Sequence, residues 1–141
     1  MTSEPATTMY SLADHYERAL KLVRAALVKE GLEVPLELDV SGRIRRELGI
    51  ALAPCRVLCV DCPFLLLEAV TLDAAAAVFL PLHVVVSAHG SQTFVHLLSP
   101  ASTQDHALPV GLKVPISKLH ARVSRVLERM GVRQAPYQLT A

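Results

Sequence analysis

"VFLPLHVVVSAHGSQTFVHLL", residues 78–98, decides the fold. Two runs rich in Val, Leu and Phe flank the polar group His-Gly-Ser-Gln. Apolar, β-branched runs separated by a Gly-containing turn are the signature of a β-hairpin. The reading predicts a strand over Val78–Ala88, a tight turn at His89–Gln92, and a returning strand over Gln92–Leu98. A two- or four-residue turn centred on His89-Gly90-Ser91 pairs Val84 with Val95 and His83 with His96. Opposed residues share a face, with Cβ atoms about 5 Å apart. That suits two ligands of one Zn²⁺, which needs two more. Asp61 supplies one if its strand lies alongside. A three-residue loop slips the register and separates the imidazoles. The plainer readings are two half-exposed polar residues on a sheet face, a polar ligand pocket, or a subunit contact.

Working back along the chain, "CRVLCV", Cys55–Val60, reads as a strand between Pro54 and Pro63. A helix follows from Pro63 to about Leu72, because Pro favours the first helical position, and Cys62 becomes its N-cap. "EVPLELDV", Glu33–Val40, alternates Val34, Leu36, Leu38 and Val40 with polar residues and Pro35. That predicts a strand with one buried and one wet face, at a sheet edge because Pro35 cannot donate to a ladder. "SGRIRRELG" reads as a short helical turn closed by Gly49. Asp14–Glu30 carries apolar residues at three-to-four spacing, a capping-box pair at Asp14 and Glu17, and Gly31 as its stop. A short strand is expected at Thr7–Leu12. Ser99–Gly111 reads as a loop, and Pro115–Met130 as the last helix.

The hairpin and the edge strand point to a mostly antiparallel sheet with helices packed on one face, an α+β two-layer sandwich. At 141 residues the chain suits one domain, residues 1–141, with an ordered core of about 7–131 and a tail at 132–141. The apolar fraction of 52% slightly exceeds the usual ~45–50%, so the excess has to be buried in the core or in a subunit contact. Fourteen Lys+Arg against thirteen Asp+Glu leave a net charge of +1, which gives no global field for nucleic acid or an acidic membrane. The longest apolar stretch is broken by Glu68, Asp73, Pro81 and His83, so no transmembrane helix is expected. The N-terminus lacks the basic start and apolar run of a signal peptide. Three cysteines with no export signal read as reduced thiols in a cytoplasm.

All three thiols lie in "APCRVLCVDCP", residues 53–63. Cys55, Cys59 and Cys62 have the C-x3-C-x2-C spacing that radical-SAM enzymes use for an iron–sulfur cluster. On a strand, however, Cys55 and Cys59 stand about 13 Å apart. That is too far for one cluster and beyond the ~7 Å limit for a disulfide. Buried structural thiols are the expectation, and an iron–sulfur cluster is disfavoured. Cys62 keeps a separate claim. A helix N-terminus lowers a thiol pKa, while the adjacent Asp61 opposes the anion.

Lys118, Arg122, Arg125 and Arg129 form a basic stripe on the last helix. Such a stripe can hold phosphates. Stacking aromatics are scarce and Glu128 interrupts the stripe, so a solvated face is the expectation and nucleic acid is disfavoured. The sequence has no Gly-rich phosphate loop, no G-x-S-x-G and no H-E-x-x-H. His15, His89, His106 and His120 are expected at the surface.

Several segments together carry a resemblance: "AALVKEGLEV", "ELDV", "RRELGI", "RVLCVDCP", and "FLPLHVVV" with its hairpin. From about Tyr16 to Pro100 they resemble the bacterial and archaeal family called domain of unknown function 302. The resemblance implies a compact α+β domain of the TATA-binding-protein-like kind, often paired as a dimer, with no established activity. Two departures matter. The family commonly has Cys-Asn-Pro where this chain has Asp61-Cys62-Pro63, and Leu-Pro-Cys-Asn where it has Leu80-Pro81-Leu82-His83. Both frequent cysteine positions are vacant here, so no redox or metal role transfers from them.

The expectation is a small cytoplasmic binding or sensing module that pairs as a homodimer. Its sheet face bears His83 and His96, near Asp61 and Cys62, and offers a site for a small ligand or a divalent metal such as Zn²⁺ held by His83 and His96. The alternatives are an enzyme of unknown reaction using the same face and the Ser99–Gly111 loop, or a purely structural or interaction domain.

Overall fold

A computed structural model describes residues 7–98 and 110–134. The Ser99–Pro109 part of the loop, the first six residues and the tail beyond residue 134 lie outside them. The chain runs β1 (Thr7–Leu12), α1 (Tyr16–Lys29), β2 (Glu33–Asp39), α2 (Val40–Leu48), β3 (Cys55–Asp61) and α3 (Pro63–Leu72). A 3-10 turn (Ala74–Val78), β4 (Leu82–His89), β5 (Gln92–Leu98), α4 (Val110–Met130) and β6 (Val132–Arg133) complete it. One six-stranded sheet has the order β2-β3-β4-β5-β1-β6, with antiparallel pairing throughout. The α+β sandwich therefore stands, with the helices on one face.

That face is the core. Alternate residues Leu58 and Val60 of β3, Leu82, Val84 and Val86 of β4, and Val95 and Leu97 of β5 are buried. They pack beneath Leu20, Val23 and Leu27 of α1 and Ile116, Leu119, Val123 and Leu127 of α4. α2 starts where Asp39 accepts a hydrogen bond from the Gly42 N–H at 3.0 Å, and it stops at Gly49, whose φ of +69° is the left-handed cap.

Several expectations need correction. β2 is an edge strand as Pro35 required, but past the register shift that follows Glu33 its apolar residues point away from the helices: Leu36 is 66% exposed and Leu38 45%, while Val34 packs against the core. The helix side of β2 is taken instead by Glu37, held 2.6 Å from Arg24 of α1 and 3.4 Å from Arg56. Alternation fixes the period of a strand, not which side meets the core. Val78 to Pro81 is not strand. Four alanines after Asp73, whose side chain caps the Ala75 N–H, favour a helical turn, and β4 begins only after the cis Leu80–Pro81 bond. α4 starts five residues before Pro115, so this Pro sits inside the helix rather than at its first position. Asp14 does not cap α1. It pairs with Arg18 at 3.0 Å, and His15 is the N-cap without a side-chain bond. Val132–Arg133, placed in the tail, adds a two-residue strand beside β1.

Candidate functional site

The face of the sheet opposite the helices carries the candidate site. Cross-strand pairing sets it out in rows. Leu36, Cys59 and His83 form one. Leu38, Val57, Val85, His96 and Met9 form the next. Cys55, Ser87, Phe94, Ser11 and Val132 form the third. None of these rows contains Lys, Arg, Asp or Glu.

The hairpin turn falls on Gly90-Ser91, because His89 pairs with Gln92 and Gly90 takes a left-handed φ of +60°. His96 therefore faces Val85, not His83, and the expected direct opposition is corrected to a diagonal one. The register moves by two places, so both imidazoles stay on one face. Diagonal neighbours stand roughly 7–8 Å apart. Both rings line a cleft of about 230 Å³ with Thr7, Pro81, Leu82, Val85, Leu97 and Leu98. The cleft is mostly apolar, with the imidazoles and the Thr7 hydroxyl as its polar groups.

His96 is half-buried, and loss of solvent pushes its pKa below the ordinary imidazole value. Its Nε2 lies 3.4 Å from Ser87 Oγ, and its ring meets Phe94 edge-on. The ring is neutral at pH 7 and offers one donor and one acceptor. A serine–histidine contact also resembles half of a hydrolytic triad, but no carboxylate bonds to the other ring nitrogen among the described residues. A depressed imidazole pKa means the unfolded chain binds a proton that the folded chain does not. The stability His96 contributes is thus complete above the unfolded pKa of about 6.5 and is lost as pH falls through the folded value. In urea titrations from pH 7.5 to 5, His96→Gln is expected to flatten this loss. An unchanged pH slope in the variant contradicts the assignment.

Neither Asp61 nor Cys62 lines the cleft, although Asp61, two residues on from the Cys59 that faces His83, shares the open face of the sheet with the imidazoles. Asp61 is buried and pairs across the strands with Glu33. Burial, and then the Glu33 charge, hold its carboxyl above the usual range. Cys62 turns to the helix side. Burial raises its thiol, but the Leu65 and Phe64 N–H groups at the start of α3 and the Arg122 guanidinium outweigh this and leave the pKa lowered. Arg122 Nη1 donates to Cys62 Sγ at 3.3 Å, and Nη2 donates to the Glu30 carbonyl at 2.6 Å. Cys55 and Cys59 are half-buried on the open face, so the expectation of fully buried thiols holds for Cys62 alone. Burial pushes the Cys55 thiol up.

Sequence reasoning missed several contacts. Arg122 is a bracket to Cys62 and not only part of a solvated stripe. Arg125 and Arg129 meet Glu30 at 3.5 and 2.8 Å, and Lys118 lies 4.0 Å from Glu68, so the stripe is largely paired within the chain. His120 is buried rather than exposed. Its Nε2–H donates to the Leu98 carbonyl at 2.7 Å, and Ser124 Oγ lies 3.3 Å from Nδ1. Nothing in its sequence neighbourhood signals this, since the partner is on a distant strand. His106 lies outside the described residues. Among the described residues, no three His, Cys, Asp or Glu side chains converge as a metal site requires, and no helix is long and apolar enough to cross a membrane.

The family model for the domain of unknown function DUF302 matches residues 8–130. No curated protein matches the chain. Among solved structures, the crystal structure of an uncharacterized conserved DUF302 protein from Bacillus stearothermophilus is similar, with a TM-score of 0.79 at 17% identity. The alignment covers 89% of this chain and 98% of that one. At that identity the likeness is one of fold.

Proposed function

This chain belongs to the DUF302 family, a domain of unknown function, and we propose that it acts as a small cytoplasmic binding module working as a pair of copies. The cleft beside His83 and His96 is its ligand site. The observation that carries this reading is two imidazoles lining one apolar cleft on a face without Lys, Arg, Asp or Glu in its central rows. Ligand sites are concave and mostly apolar, with a few placed polar groups. A volume of about 230 Å³ exceeds the ~150 Å³ that accommodates benzene and falls short of the ~300 Å³ at which drug-sized pockets begin. The fitting class is a compact ring or short acyl compound with one polar group for the imidazoles. Zn²⁺ held by His83 and His96 is the second reading, favoured by the shared cleft. It needs two further donors from a bound molecule or another chain.

Calorimetric titration with benzoate and with indole tests this. The natural chain is expected to bind at least one of them, and His83→Ala to weaken that binding about tenfold or more, in line with a lost hydrogen bond to a buried polar group. His89→Ala, on the same face but outside the cleft, is expected to leave it unchanged. Equal binding by all three proteins, or none by the natural chain, contradicts the organic-ligand reading. Elemental analysis of natively expressed protein decides the metal: zinc present in the natural chain and lost in His83→Ala supports the second reading.

A further inference from the structure

β6 delivers the chain to the margin of the open face, close to the imidazole cleft. Tyr10 pairs with Arg133 and Ser11 with Val132, so β6 runs antiparallel to β1 and points toward Thr7, which lines the cleft. The Gln134 N–H donates to the Met9 carbonyl at 2.8 Å, and its Nε2–H donates to Ser11 Oγ, also at 2.8 Å. Gln134 thus extends the open-face row of Met9, His96 and Val85 by one place. The next donor this ladder needs, two residues on, falls on Pro136, which has no N–H. Tyr137 follows it directly. We infer that Tyr137 is the cleft's own occupant, its ring against Val85 and Leu98 and its hydroxyl at the His83 and His96 imidazoles. The inference rests on the cleft reading above and names what an outside ligand has to displace.

Reach, size and charge favour this occupant. His96 stands two strands in from Gln134, about 10 Å at ~4.8 Å per strand. The three residues from Ala135 to Tyr137 extend to about 10–11 Å, so the ring comes to the cleft with β6 where it is. A phenol is one hydroxyl larger than the benzene that a cavity of ~150 Å³ accommodates, and the cleft measures about 230 Å³. Its hydroxyl both donates and accepts, so it suits either nitrogen of a neutral imidazole. Residues 135–141 contain no Lys, Arg, Asp or Glu, which matches a face whose central rows contain none.

Histidine side-chain ¹⁵N–¹H spectra of the full natural chain and of Tyr137→Ala, both without ligand, test the assignment. The His83 and His96 rings are expected to differ in position between the two proteins, while His15 coincides. Benzoate is expected to bind Tyr137→Ala about threefold or more tightly than the natural chain, because a segment on a short tether competes at an effective concentration on the order of millimolar. Rings that coincide in the two proteins overturn the inference, and so does a measurable but equal affinity for benzoate. A ring difference that vanishes on about tenfold dilution overturns it too, because the tyrosine then comes from a second copy. Failure of the outside-ligand reading looks different: neither protein binds benzoate or indole, and the ring comparison alone still decides for or against Tyr137.

Discussion

Leu119→Ala is expected to lower the unfolding free energy by about 2–5 kcal/mol, the usual range for a buried Leu truncated to Ala. Leu119 is 1% exposed and lies at the centre of the face that α4 lays on the sheet. Its loss removes transfer energy and leaves a cavity, because buried neighbours such as Ile116 and Val123 are fixed on the same helix and collapse only in part. Val114→Ala on the same helix removes a solvent-exposed side chain and is expected to stay within about 0.5 kcal/mol. Urea titration of both variants measures the difference. Similar midpoints for the two remove α4 from the core described above.

Arg122→Ala is expected to destabilise by about 2–3 kcal/mol, an effect its position in the sequence does not suggest. The guanidinium joins three elements: it sits on α4, bonds the Cys62 sulfur at the start of α3, and bonds the Glu30 carbonyl at the end of α1. Hydrogen bonds to a charged group are each worth about 1.5–3 kcal/mol, and removing this donor leaves the carbonyl and sulfur without it. The effect also carries a pH signature. The lowered Cys62 pKa means the folded chain releases its thiol proton before the unfolded chain does. The stability it contributes is present in full above the unfolded value of about 8.5 and is lost as pH falls through the folded one. Natural chain and variant are therefore expected to differ more at pH 9 than at pH 6. A gap that narrows toward pH 9 contradicts the thiolate–guanidinium contact.

What the sequence made legible was local. The Val-rich runs around Gly90 announced the hairpin, Pro35 placed β2 at an edge, and Pro63 placed Cys62 at a helix start. Each depends on a backbone property of the residue itself. The failures depend on partners far along the chain. Leu36 and Leu38 look like core until Arg24 and Arg56 are seen to claim the other side of β2 through Glu37. Arg122 and Cys62 are sixty residues apart, and His120 and Leu98 twenty-two, so no spacing pattern joins them. The imidazole pair is the intermediate case. A turn centred one residue too early moves the register by an even number. His83 and His96 kept a common face and lost only their direct opposition. Because His96 faces Val85 and not His83, the expected chelating pair becomes two walls of one cleft.

The most direct test of that cleft is the imidazole rings themselves. In ¹⁵N–¹H spectra optimised for histidine side chains, benzoate and indole are titrated into the full natural chain at pH 7. The rings of His83 and His96 are expected to shift together along one saturating curve, while His15, outside the cleft, stays in place. Rings of His83 and His96 that do not respond to either compound at millimolar concentration, or that move no more than His15, contradict a ligand site on the open face of the sheet.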